Sequence, residues 1–161
     1  MSFRIRTAEL PRERAICAGF ILELQRFEHA IAPNRRLDAA VAEEHLEPLL
    51  RKVAERGGEI FVAEDALGAV AGWAVVHETQ DEIYVVAQER RLAYIAELFV
   101  AAAARGTGMG RALIAACTDW ARGRGIATIE IGVLAGNARA RAVYEDAGFV
   151  PYAVQLRRKL L

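Results

Sequence analysis

Hydrophobic positions along the chain change period several times, and each change marks an element. Phe3, Ile5 and Thr7 alternate with polar neighbours, the spacing of a half-buried strand, which Pro11 ends. Ile16, Phe20, Leu24, Phe27 and Ile31 then recur every three or four residues, so one apolar stripe predicts a helix, stopped by Pro33-Asn34. A second helical stripe runs from Asp38, in N-cap position, through Val41, Leu46, Leu49, Leu50 and Val53 to Gly57-Gly58. Pro48 inside it predicts a kink or a break. Ile60 to Ala63 and Ala69 to Val76 are apolar runs around Asp65-Ala66-Leu67-Gly68, which reads as an antiparallel hairpin.

The charged stretch Thr79 to Arg91 has no clear period; its Ile83-Tyr84-Val85-Val86 either extends a strand or covers a site as a loop. Tyr94 to Val100 is a third central strand. Leu113, Ile114, Cys117, Trp120 and Ala121 have helical spacing, closed by Gly123 and Gly125. Thr128 to Val133 alternates strictly, a strand; Asn137 caps a short helix through Tyr144 to Ala147, ended by Gly148; and Phe149 to about Leu160 is strand-like, with Arg157-Arg158-Lys159 solvent-facing or at an edge. The order β-α-α-β-β-β-α-β-α-β predicts an α/β fold on one mixed sheet, and residues 1–161 fit a single domain with a full core.

Charge narrows the partners. Lys and Arg number 21 and Asp and Glu 21, so no global field recruits nucleic acid or an anionic membrane, and anion binding must be local. Cys17 and Cys117 sit in helical apolar stripes without metal-ligand spacing, which makes them buried thiols and predicts no metal. Residues 1–6 lack the apolar run of a signal peptide, and no span approaches the ~20 apolar residues of a membrane helix, so the expected location is cytoplasmic.

The chemistry concentrates at Val100 to Arg111, where a strand enters a glycine-rich turn and a helix follows. Gly106, Gly108 and Gly110 remove side chains where an anion would meet the main chain, and the helix start presents unpaired N–H groups and a partial positive charge. Arg105 and Arg111 flank the turn. No Gly-Lys-Ser/Thr follows, so it is not a Walker loop; the third glycine comes one residue early for the dinucleotide pattern.

Arg105-x-x-Gly108-x-Gly110 after the strand Ala96 to Val100 instead resembles the acetyl-CoA pyrophosphate loop of the GNAT superfamily of N-acetyltransferases, and Asn137-x-x-Ala140-x-x-x-Tyr144-x-x-x-Gly148-Phe149 resembles its second motif. Many relatives carry proline where this chain has Ala102. The resemblance implies a mixed, mostly antiparallel central sheet flanked by helices. It also implies direct acetyl transfer from acetyl-CoA to a primary amine, of a small molecule or a peptide N-terminus, in a ternary complex, in an enzyme that is often a dimer. By the same resemblance, Phe99 and Val100 pair with the pantetheine arm, and Arg105, Gly106, Thr107, Gly108, Met109, Gly110 and Arg111 hold the pyrophosphate. Asn137 contacts the arm or a bridging water. The alternative is a non-catalytic acyl-CoA-binding regulatory module.

Two side chains suit the transfer. Tyr144, two helical turns from Asn137 and near the same face, is the candidate acid for the leaving thiolate. A phenol near ~10 and a thiol near ~8.5 put that proton transfer uphill by about 2 kcal/mol. Glu97 within an apolar strand needs a wet cleft or a partner, and is the candidate base. Its plain alternative is a salt-bridged structural carboxylate. By the resemblance Glu28 and His29 fall where the first helices border the acceptor site, and Arg139 and Arg141 are within reach of the CoA phosphates, though all four read more simply as solvated surface residues; Trp73 and Trp120 read as core, and His45 and His77 show no partner in the sequence.

Overall fold

The computed structural model describes residues 2–160. The chain runs β1 (Phe3–Thr7), α1 (Arg14–His29), α2 (Ala40–Glu55), β2 (Glu59–Asp65), β3 (Val70–Gln80), β4 (Arg91–Val100), α3 (Met109–Gly123), β5 (Thr128–Ile131) and α4 (Ala138–Asp146). A 3-10 turn, Ala102–Ala104, links β4 to α3. The strands lie side by side in chain order. The first three pairings are antiparallel and β4 to β5 is parallel, the direction that the intervening crossover helix α3 permits. The β2–β3 hairpin is closed by Asp65, whose Oδ1 accepts from the N–H groups of Leu67 at 2.9 Å and Ala69 at 3.0 Å.

Helices cover both faces of the sheet, which is why β3 is apolar at consecutive positions rather than alternate ones. Trp73 and Val75 pack with Cys17, Phe20, Ile21 and Leu46 under α1 and α2. Ala74 and Val76 point the other way, with Ile95, Leu113 and Cys117 against α3. Trp73 and both cysteines are fully buried, as their spacing predicts. Trp120 is partly buried against the α3-side core, with the Arg124 guanidinium 4.7 Å from its ring centre.

Three expectations are corrected, and the stretch 79–91, open in the sequence, is settled. Helix α2 runs unbroken through Pro48, because Ala42, Leu46 and Leu49 are buried on one stripe and that packing outweighs one lost donor. Asp38 does not cap it; the helix starts at Ala40 without a side-chain cap, and Asp38 grips Arg36 at 2.7 Å. Of residues 79–91, β3 takes the first two and β4 the last. The turns between are tied by Arg90, which donates to the carbonyls of Val85 at 2.6 Å and Ile83 at 2.7 Å. The strand expected over Phe149 to Leu160 does not form, since a strand needs a hydrogen-bonded neighbour and this segment pairs with none of the five. No described helix is long and apolar enough to cross a membrane.

Candidate active site

Strands β4 and β5 pair only from Leu92↔Thr128 to Ile95↔Ile131, yet β4 continues five residues to Val100. The register against β3 slips at the same place, Val75 facing Glu97 and Val76 facing Ile95, which leaves Ala96 bulged. Beyond the bulge the two parallel strands separate, and the main chain of β4 loses its β5 partner. The gap is a cleft of about 720 Å³. Every residue assigned above to donor binding or chemistry lines it: Glu97, Phe99, Val100, the run Arg105 to Arg111, Asn137 and Tyr144.

At one end stands the glycine turn. Gly106 (φ +82°) and Gly108 (φ +92°) hold left-handed conformations that side-chain-bearing residues avoid, whereas Gly110 has ordinary φ and room for a Cβ. Gly108 is the N-cap of α3; no side chain caps this end and no acidic residue lies in its first turn. The first N–H groups of α3 therefore face the cleft unanswered by the chain and undiluted by negative charge, the donor set an anion requires. Met109 turns its side chain into the core and contributes to the cleft mainly through its backbone. Thr107 spends its hydroxyl inside the loop, donating to the Ala104 carbonyl at 2.7 Å.

The flanking arginines are less free than their sequence positions suggest. Arg105 donates through Nε to the Val100 carbonyl at 3.0 Å, with its guanidinium carbon 5.4 Å and 5.7 Å from the ring centres of Phe27 and Phe99. Its charge is fixed at the turn by stacking. Arg111 bridges to Asp146 at the end of α4, so it ties the two cleft walls together while sharing its charge. Asn137 caps α4, accepting from the Ala140 N–H at 3.1 Å, which leaves its side-chain NH2 for other partners.

At the other end are Glu97, Tyr144 and Glu28. Glu97 is 7% exposed and is held by His45 of α2, whose Nε2 lies 2.6 Å from Oε1. The carboxylate in turn raises the His45 pKa above its ordinary value. Burial pushes the Tyr144 phenol up to about 12, with Glu28, Glu97 and Tyr94 adding negative field, and its ring packs 6.1 Å from that of Phe149. Glu28 lines the cleft and is tied to Arg35 at 2.7 Å, which favours the acceptor-border reading of this residue over the solvated one. His29, in contrast, holds the Arg35 carbonyl at 2.9 Å through Nδ1. Arg139 also lines the cleft, while Arg141 pairs along α4 with Glu145 at 3.6 Å. Residues 81–90 do not reach the cleft.

The His45–Glu97 pair is the feature that sequence reasoning missed. The signal was indirect: a carboxylate in an apolar strand demands a partner, and His45 is 52 positions away. Because the folded-state pKa of His45 is raised, its stabilising effect is fully present below the unfolded value of about 6.5 and is lost as pH rises through the folded value. The thermal stability advantage of the wild type over His45→Gln should therefore narrow steadily between pH 6 and 8 (about the ordinary imidazole range). Melting curves across that range check it, and a pH-independent difference would remove the charged pair from the account.

The site thus combines a splayed pair of parallel strands with a glycine-capped anion cradle at one end and a carboxylate with a phenol at the other. The sequence profile of the Acetyltransferase (GNAT) family matches residues 21–149, and the chain belongs to that family. It is 34% identical over 123 residues to mycothiol acetyltransferase of Clavibacter michiganensis subsp. michiganensis, covering 75% of this chain and 33% of that protein. It is 30% identical over 109 residues to aminoglycoside N(6')-acetyltransferase type 1 of Stenotrophomonas maltophilia, covering 67% of this chain and 70% of that protein. The chain spans a third or less of the length of the mycothiol acetyltransferases it matches. In fold it resembles a predicted acetyltransferase from Clostridium acetobutylicum solved with acetyl-CoA, with a TM-score of 0.74, 19% identity, and 99% of this chain and 97% of that chain covered.

Proposed function

We propose that the chain transfers an acetyl group from acetyl-CoA to the primary amine of a small, cationic molecule, by direct attack within a ternary complex. The observation that carries this reading is the layout of one cleft, with the uncapped start of α3 at one end and the carboxylates of Glu28 and Glu97 beside Tyr144 at the other. A phosphorylated acyl carrier fits the first end. An ammonium group suits the second, where the carboxylates of Glu28 and Glu97 bear on it, paired with Arg35 and His45 respectively. The β4 main chain from Ala96 to Phe99, which has no β5 partner, offers the pantetheine amides a strand edge between the two, with the Val100 carbonyl already held by Arg105.

In this reading Glu97 takes the proton from the amine as its nitrogen attacks the acetyl carbonyl, and His45 keeps the receiving carboxylate aimed. The tetrahedral adduct then collapses, the C–S bond breaks and Tyr144 donates to the departing sulfur. Asn137 steadies the arm through its free NH2. The acceptor is a small molecule rather than a peptide because the cleft is walled by carboxylates and the loop 81–90, which an extended peptide would follow, stays out of it. The relative named for aminoglycoside N(6') acetylation supports that class. With it we propose that residues 1–161 act as one domain, in the cytoplasm and as a homodimer.

The test is release of free CoA thiol from acetyl-CoA against aminoglycosides, polyamines, amino acids and an N-terminal peptide. Turnover with at least one cationic small molecule, exceeding that with the peptide, is expected. Tight acetyl-CoA binding with no release for any acceptor would instead make the domain a non-catalytic acyl-CoA sensor.

A further inference from the structure

The apolar stripe of α1 outlasts the core it serves. Phe20 is buried in the core under α1 and α2 and Leu24 packs against it, but Phe27 and Ile31, the last two members of the stripe, pack in neither described core cluster. Phe27 lines the cleft under the Arg105 guanidinium. Ile31 comes after α1 has ended at His29, and it is half-buried. What it touches is Gly136: a Cβ on Gly136 would stand 2.7 Å from Ile31 Cγ2, well inside the distance at which carbon atoms pack. Gly136 does not have a left-handed φ, so glycine is required there for space and not for backbone freedom.

The contact spans the cleft. Ile31 follows Glu28 by three residues and Gly136 immediately precedes Asn137, and Glu28 and Asn137 line opposite walls, one on α1 and one at the start of α4. The two walls therefore meet just beyond Glu28. The turn that carries Ile31 is pinned: the Ile31 and Ala32 N–H groups donate to the Glu28 carbonyl at 3.0 Å and 2.7 Å, Arg35 grips the Glu28 carboxylate, and His29 holds the Arg35 carbonyl. On the facing side the Asn137 N–H donates to the Leu134 carbonyl at 2.8 Å, which closes the turn that carries Gly136.

We propose that Ile31, seated on Gly136, is a specificity-determining stop at the acceptor end of the cleft, which limits how far an acceptor extends beyond its reacting amine. The inference rests on the acetyl-transfer reading above and adds the class it admits: compact amines, as against amines continued by a long chain. The stop works by shape. A longer acceptor has to part Ile31 from Gly136 against the hydrogen bonds that hold the turn, and this side chain offers no polar atom in return. A second ammonium on the acceptor is served by Glu28 only where it stops short of Ile31, because an apolar side chain cannot replace the water it gives up.

The test is kcat/KM along a series of linear amines of growing length, putrescine, cadaverine, spermidine and spermine, in wild type, Ile31→Ala and Ile31→Phe. Wild type should fall steeply beyond one length. Ile31→Ala should move that fall to longer acceptors and raise the spermine-to-putrescine ratio about tenfold or more, the ordinary worth of freed space in an apolar pocket. Ile31→Phe should lower the ratio. Amines of the series that do not react are read as competitive inhibitors of whichever acceptor does. Acetyl-CoA affinity by calorimetry should match wild type in both variants, and each variant is read independently, so that one failing to fold leaves the other to decide. A general loosening of the protein lowers turnover of every acceptor alike and leaves the ratio where it was. A ratio unmoved by the substitutions overturns the stop and leaves acetyl transfer standing; absence of thiol release with every acceptor overturns both.

Discussion

Replacing Glu97 with glutamine is expected to lower kcat/KM at pH 7 by about a hundredfold or more, the ordinary worth of a positioned general base. Glutamine keeps the shape of the side chain and an oxygen for His45, so the change isolates the charge and the proton acceptor. The work required of a base is set by the acceptor. At pH 7 a lysine-like amine is deprotonated at a cost of about 4.6 kcal/mol and an amine near pKa ~8 at about 1.4 kcal/mol. The loss in Glu97→Gln should accordingly shrink as pH rises towards the amine pKa, where the free base supplies itself, and should be smaller for acceptors of lower pKa. Rate profiles from pH 6.5 to 10, bracketing roughly the ordinary amine values, read both trends. Equal activity of wild type and Glu97→Gln at pH 7 would return the carboxylate to a structural role, paired with His45 and nothing more.

What the sequence made legible is what local periodicity and short spacings carry. The glycine turn, the capping Asn137 and the Asn137–Tyr144 interval lie within single elements and their junctions, so strand, helix and cap geometry bring them to one cleft wall without further information. The cleft itself was hidden, because it depends on β4 outrunning β5 and on the bulge at Ala96, and register between strands is not written in either strand alone. Long-range polar partners were hidden for the same reason. His45 meets Glu97 through the packing of α2 on the sheet, whereas Glu28, whose place beside the acceptor the family resemblance had indicated, reaches the cleft through the direction of α1. Pro48 shows the converse, a strong local signal overruled by Leu46 and Leu49 in the core. The Phe149 to Leu160 segment has the correct strand pattern but no partner within the chain, which no single-chain reading of periodicity can supply.

The second large effect expected is from Tyr144→Phe, a loss of about a hundredfold in kcat with little change in acetyl-CoA affinity. The structure alters the reason. With an ordinary phenol the proton transfer to a thiolate is uphill by about 2 kcal/mol, but Tyr144 is pushed up to about 12, and against a thiol near ~8.5 full transfer costs about 5 kcal/mol. As the proposed donor, Tyr144 would therefore act by holding its proton and donating a hydrogen bond as negative charge grows on sulfur, an interaction that strengthens from ground state to transition state and so is expected in kcat. Two measurements separate this from a packing role against Phe149. Calorimetry should give Tyr144→Phe the wild-type affinity for acetyl-CoA and an unchanged melting temperature, and thiol release should show the fall in kcat persisting at every pH up to about 10, since the buried phenol stays protonated throughout. Turnover undiminished in Tyr144→Phe would take the phenol out of the reaction and leave the departing sulfur to draw its proton from solvent.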